Sequence, residues 1–232
     1  MSYSLVWFKR DLRWQDHMAL TQASQNGPVR CIYVIEPELW LQADTALQHF
    51  EFIRESLQDL DTHLRTLGGQ VEIHHGELSA VLTQIWNEAS FTGLFSHEET
   101  GNAWTFARDL KVASWCKEYS VAWHEFPQFG VVRRLKSRDL WQSAWEQHML
   151  LPQSHFETLR FWRPANTQAL AIAAPSHLRH NPSQRQHGGR TLALKTLHSF
   201  LNARSIGYRG GISSPVSAPD ACSRLSAYLT YG

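Results

Sequence analysis

Five short apolar runs interleaved with helical stretches fill the first 126 residues, and few folds accommodate that alternation. Ser4 to Phe8 (SLVWF), Val29 to Ile35 (VRCIYVI), Val71 to His75 (VEIHH), Thr92 to Ser96 (TGLFS) and Val121 to Phe126 (VAWHEF) are rich in β-branched and aromatic residues. Each is bounded by Gly, Pro, Asp or His-rich turns, as strands are. Between them the clearest helix carries Ala46, Phe50, Ile53, Leu57, Leu60, Leu64 and Leu67 at spacings alternating four and three, and Gly68-Gly69 ends it. Leu78 to Ala89 and Asn102 to Tyr119 repeat the pattern, and Asp16 is placed to cap the helix carrying Met18, Ala19 and Leu20. Strand and helix in alternation predict an α/β fold, a five-stranded doubly wound parallel sheet with helices on both faces. Ligands of such sheets sit beyond the carboxyl ends of the strands, here Lys9 to Arg13, Glu36 to Glu38 and His97 to Asn102. No G-x-G-x-x-G follows the first run, which disfavours an ordinary dinucleotide site.

From Gly130 the pattern changes. Leu135 to Leu150 is expected to be helical, with Trp141 and Trp145 one turn apart. Leu151 to Gly189, rich in Pro, Ser, Asn, His and Gln, reads as a surface connector far longer than the ~12–15 residues usual in a compact domain. Thr191 to Ala203 is expected as a helix, Tyr208 to Pro219 as a turn region, and Arg224 to Tyr231 as the start of another helix. That last apolar run has no partner in the sequence to bury it and looks truncated. The domain reading is therefore 1–130 for the α/β unit, 131–190 for the connector and 191–232 for the beginning of a helical unit.

Charge divides the same way. Residues 1–129 carry nine Lys/Arg against seventeen Asp/Glu, and residues 130–232 thirteen against four, so a net +1 hides halves of −8 and +9. The basic half is either suited to phosphates or docked on the acidic half. No apolar run approaches the ~18 residues of a membrane span, and the apolar start precedes its basic residues, the reverse of a secretory signal. Three dispersed cysteines make neither a disulfide framework nor a zinc site. A soluble cytoplasmic protein is expected.

Among thirteen histidines only His74 and His75 are adjacent, on opposite faces of a strand, so no metal site is expected. Trp7, Trp86, Trp115 and Trp123 fall in strand or helix patterns and read as core. Cys222-Ser223-Arg224-Leu225-Ser226 sets small hydroxylated residues and a cation at a helix start. That arrangement suits an anion, or serves only to cap the helix.

The opening Leu5-Val6-Trp7-Phe8-Lys9-Arg10-Asp11-Leu12-Arg13, with Asp16-His17 and Ala19-Leu20, resembles the start of the photolyase/cryptochrome family. Ala107-Arg108-Asp109 and Ser223-Arg224-Leu225-Ser226, with Tyr228-Leu229 and Gly232, match two further motifs in order, so the resemblance spans the chain. It implies an α/β antenna-chromophore domain, a connector and a helical domain holding FAD. In repair members light-excited reduced flavin splits pyrimidine dimers in DNA, a carbon–carbon lyase reaction; signalling members act through a partner. By resemblance, Ser223, Arg224, Leu225 and Ser226 hold the FAD phosphates, Cys222 stands where the family has Thr, and Tyr208 contacts FAD. The flavin pocket, dimer cavity and relay tryptophans of the family lie beyond the motifs present. The resemblance therefore implies no catalytic residue in this stretch, and weak FAD binding and no repair by it alone.

The antenna is implied less sharply. Folate-binding members carry Asn-Glu upstream of Ala-Arg-Asp, where this sequence has Trp104 and Thr105. Flavin-type and lumazine-type antennas sit at the strand ends. By that analogy Phe8, Lys9, Arg10, Ile35, Glu36, Glu98 and Glu99 are the candidate contacts, unless Lys9, Arg10 and Asp11 merely salt-bridge a loop.

Overall fold

The computed structural model describes residues 2–232. Strands β1 (Ser4–Phe8), β2 (Val29–Ile35), β3 (Val71–His75), β4 (Gly93–His97) and β5 (Ala122–Phe126) form one sheet in the order β3-β2-β1-β4-β5, every pair parallel. The crossovers carry α1 (Met18–Gln25), α2 (Leu47–Thr66), α3 (Leu78–Glu88) and α4 (Ala103–Glu118). β1 and β2 are buried along their whole length, which is why they read as near-continuous apolar runs rather than alternating ones, broken only near their starts by Ser4 and by Arg30, which pairs with Glu72 and Glu88. Val6, Phe8, Tyr33 and Ile35 pack one face against α1 and α2. Leu5, Trp7, Ile32 and Val34 pack the other against α3 and α4. The order reverses at β1, flanked by β2 and β4, so the crevice at its carboxyl end is where such a sheet takes a ligand.

Local chemistry corrects several expectations. Asp16 does not cap α1: its backbone is left-handed (φ 49°), and its carboxylate turns outward to accept Ser154 N–H at 2.9 Å. His17 is the cap instead, its Nδ1 accepting Leu20 N–H at 3.0 Å. The stretch 135–150 shortens to a turn of 3-10 helix (Arg138–Leu140) and α5 (Trp141–Met149), because Ser137 caps that turn. The connector does more than run over the surface. Arg160 O accepts Val29 N–H at 2.8 Å and Trp162 N–H donates to Val29 O at 2.9 Å, so residues 160–162 pair with the start of β2. Ile172 and Leu178 then enter the α2 core. Gly69 lies directly against the Phe161 ring, where no Cβ fits.

α6 (Arg190–Asn202) follows the connector. The expected turn region contains two one-turn helices, α7 (Tyr208–Gly211) and α8 (Ala218–Ala221), in contact because Gly211 meets the Ala221 methyl. α9 (Ser226–Tyr231) is no exposed stub: Tyr228 is buried, and both Tyr228 and Tyr231 pack on Phe52 of α2, ring centroids 5.4 and 5.5 Å away. Part of the basic half is docked on the acidic half. Arg185 meets Glu55 at 2.6 Å, Arg163 meets Glu88 at 2.6 Å, and Arg133 meets Glu125 at 3.3 Å. Among the described residues no helix is long and apolar enough to cross a membrane.

Candidate functional site

The crevice at the switch point is walled by Trp7, Phe8, Lys9 and Arg10 from β1 and its loop, Tyr33, Val34 and Glu36 from β2, Trp40, Arg108 of α4, and Tyr231 of α9. Its free space is about 60 Å³. Phe8, Lys9, Arg10, Glu36 and Glu99 of the candidate antenna contacts thus meet there. Ile35 and Glu98 do not: Ile35 faces the α2 core, and Glu98 faces Arg133, 3.7 Å away.

Arg108 organises the crevice. Its guanidinium reaches Glu36 Oε2 at 3.1 Å, Glu99 Oε2 at 2.5 Å and Asp109 Oδ1 at 2.8 Å, and lies 4.7 Å from the Trp7 ring centroid. The side chain of Lys9 is buried with its ammonium 4.1 Å from the Trp7 ring centroid and 3.5 Å from Asp109; burial lowers its pKa. Burial pushes the Glu36 carboxyl up to about 7 against the pull of Arg108. Two buried polar atoms on this wall, Glu36 Oε1 and Trp40 Nε1, have no hydrogen-bond partner among the described residues. Buried polar atoms are ordinarily paired, so one acceptor and one donor stand ready for a ligand. Trp104 and Thr105 are committed elsewhere, Trp104 Nε1 donating to Glu38 at 3.4 Å and Thr105 N–H to the capping Asn102 at 3.1 Å.

Beneath the crevice the histidines are less dispersed than the sequence implies. Asp11, His17 and His97 converge, all three buried. Asp11 Oδ1 accepts Lys9 N–H at 2.6 Å, and Oδ2 lies 2.8 Å from His17 Nε2 and 2.7 Å from His97 Nδ1. His17 Nδ1 already accepts an amide proton, so the neutral ring carries its own proton on Nε2, 2.8 Å from Asp11 Oδ2 but out of line for a hydrogen bond, and offers no lone pair to a cation. The donor set fits a buried carboxylate hub, hydrogen-bonded to the Lys9 amide and to His97 and flanked by the His17 ring. Burial would raise the Asp11 pKa, but the two imidazoles hold it well below the usual carboxylate range. Burial drives His17 down to about 4.

The segment 222–226 lies between α8 and α9. Its carbonyls are tied: Arg204 donates to Cys222 O and to Ser223 O, and Gln186 donates to Arg224 O at 2.7 Å. The N–H groups of Ser223, Arg224, Leu225 and Ser226 donate to nothing among the described residues. Arg224 is left-handed (φ 58°), Ser223 is half-buried and Ser226 exposed. Open amides beside a cation suit a phosphate. Tyr208 opens α7, half-exposed, its ring edge-on to Phe200 at 6.0 Å. The sequence reading missed Trp40, Arg204 and Tyr231. Arg204 sits in an ordinary Ala-Arg-Ser run that signals nothing, whereas Arg108 already stood in a recognised triplet without an assigned task.

Residues 4–134 match the family model described as DNA photolyase. Cryptochrome-2 of Gallus gallus is 31% identical over 121 residues, covering 51% of this chain and 20% of that protein. Cryptochrome-1 of Macaca fascicularis is 28% identical over 89 residues, covering 38% and 15%. A Synechocystis cryptochrome structure superposes with a TM-score of 0.79 at 18% identity over 99% of this chain and 52% of that one. A class III photolyase from Agrobacterium tumefaciens gives 0.72 at 21% identity, over 99% and 50%. An archaeal photolyase from Sulfolobus tokodaii, solved with two FAD molecules, gives 0.71 at 20% identity, over 99% and 52%. The chain spans about half the length of these structures and a fifth or less of these curated relatives. The match of the family model over more than half of the chain, on a parallel sheet of this order, gives its membership: the chain belongs to the DNA photolyase family.

Proposed function

We propose that this chain supplies the antenna unit (1–130), the connector (131–190) and the first part of the flavin-binding region (191–232) of a light-driven flavoprotein that repairs pyrimidine dimers in DNA. The observation that carries the reading is the switch-point crevice with its unpaired Glu36 Oε1 and Trp40 Nε1, joined through α9 to the open amides of 223–226. The crevice takes an antenna chromophore whose ring system offers a hydrogen-bond donor to Glu36 and an acceptor to Trp40. Tyr231 and Arg108 must shift to admit it, since about 60 Å³ holds no such ring.

Ser223, Ser226 and the amides between them are the part of an FAD site present here, gripping the diphosphate with Arg224 beside them and Tyr208 against the cofactor. FAD bound there supplies light-excited electron donation to the dimer; the residues of this chain hold and orient it. Arg204 and Gln186 turn the segment's carbonyls inward so that the amide side faces the anion. The 232 residues alone retain little or no FAD and carry no repair activity.

The second reading is a blue-light receptor that signals through a partner, favoured by the cryptochrome names of the curated relatives above. Full-length protein assayed for light-dependent loss of dimers, with a dark control, separates the two: repair supports the first, while flavin photoreduction without repair supports the second. An absorption spectrum with no band between the near-ultraviolet and blue, before and after mixing with flavin and lumazine, would remove the antenna assignment.

A further inference from the structure

A second cleft opens on the other side of the β1 loop, with no lining residue in common with the first. It measures about 280 Å³ and lies between the start of α1, the ends of β4 and β5, and the α5–connector junction. We propose that it is a binding site for a small organic anion, a carboxylate or phosphate monoester carried on a single apolar ring.

Two cationic or potentially cationic side chains face it with unused nitrogens. His97 is only 2% exposed; its Nδ1 is 2.7 Å from Asp11 Oδ2, and its Nε2, on the cleft wall, meets no partner among the described residues. With Nδ1–H directed at Asp11, Nε2 presents a lone pair to the cleft, so it accepts the remaining proton of a phosphate monoester or takes up one proton together with a carboxylate. Arg13 uses only Nε, donating to Asp16 O at 3.2 Å, and no carboxylate among the described residues lies within ion-pair distance of its guanidinium. A half-buried guanidinium with free Nη groups is matched by a carboxylate or phosphate held bidentately.

Other charges nearby do not cancel this. Asp16 stands on the rim, its Oδ1 accepting Ser154 N–H at 2.9 Å and Ser154 O–H at 3.3 Å, while His148 faces in from α5. Asp11 lies behind His97 and is fully buried. The remaining wall is apolar on Met18, Phe126, Pro127, Leu151 and Pro152, and polar at Gln22 and Gln128. A volume of about 280 Å³ is at the small end of ligand sites and suits one ring with its head group rather than a dinucleotide.

The inference does not depend on the photochemical reading, because its test needs neither light nor flavin. The 232-residue chain is titrated with phenyl phosphate, benzoate and neutral benzyl alcohol, by calorimetry and by NMR of the His97 ring. Either anion is expected to bind with a dissociation constant of about 1 mM or tighter and to move the His97 ring signals, the alcohol doing neither. The tighter of the two identifies the head group. Arg13→Gln is expected to weaken binding about tenfold or more. Leu151→Trp, at a largely exposed connector position, tests the same cleft by narrowing its mouth without touching the buried hub. The proposal is overturned if neither anion moves the His97 signals in the unaltered chain, or if both variants bind like it.

Discussion

Leu12 N–H donates to Tyr231 O across 2.7 Å, tying the loop after β1 to the end of α9. Tyr231 also forms part of the crevice wall and packs on Phe52, so one residue belongs to the switch-point crevice and to the helix that follows residues 222–225. The two ends of the chain therefore build one region.

His17 sets an acid-side limit on stability. Burial, with His97 pushing the same way, takes its imidazole from 6.5 to about 4. Between those values the unfolded chain binds a proton that the folded chain refuses. Stability present above pH 6.5 is lost as pH falls to about 4, by up to about 3 kcal/mol. His17→Gln lacks this slope, so urea unfolding at several pH values should show its deficit against the parent chain shrinking on acidification. A pH-independent deficit would contradict the assignment.

Glu36 acts with the opposite sign. Its folded carboxyl titrates at about 7 against 4.5 when free, because it is buried. The folded chain holds a proton across that window, so the contribution present below pH 4.5 is lost as pH rises to about 7. Glu36→Gln should gain on the parent chain by up to about 3 kcal/mol over the same range, on top of a constant loss from the Arg108 contact. Parallel stability curves for the two chains would argue that Glu36 is solvated.

Arg204 fixes residues 222–223 through their carbonyls. It also donates to Thr196 O at 2.9 Å, joining α6 to residues 222–223. Arg204→Met is expected to cost about 2 kcal/mol and to speed amide exchange at 222–226 selectively. Exchange that rises equally in β1 and β2 would point to global loosening instead.

Cys222 is a free, half-buried thiol at the entrance of that segment. A thiol donates weakly, so Cys222→Thr in the full-length protein should hold FAD several-fold more tightly, a gain of about 1 kcal/mol. Flavin released on dilution, read by fluorescence, measures it; unchanged release would mean that residue 222 does not reach the phosphates.

The sheet was legible because the three inner strands, β1, β2 and β4, are buried along their length, while the partly exposed edge strands β3 and β5 still stand as short β-prone runs between turn signals. What escaped depends on distant partners. Asp16 has the chemistry of a helix cap, yet its carboxylate is taken by Ser154, 138 residues away, and the next residue caps α1 instead. His17 and His97 read as isolated because they stand 80 positions apart, and only the parallel alignment of β1 with β4 brings both to Asp11. Trp40 shows no motif; its importance comes from an N–H left unpaired by its surroundings. Of residues 222–226, the residue types were visible, but the inward turn of the carbonyls rests on Arg204 and Gln186, which carry no local signal.

The connector is stapled along its path: by Asp16 to Ser154, by Val29 to residues 160–162, and by Glu55 to Arg185 and Gly188. A strap fastened at three stations cannot act as a slack tether. Pigments lodged in the crevice and at residues 223–226 would keep a constant spacing and mutual orientation. Energy hopping between them, steeply sensitive to both, would then run at one rate rather than a fluctuating average.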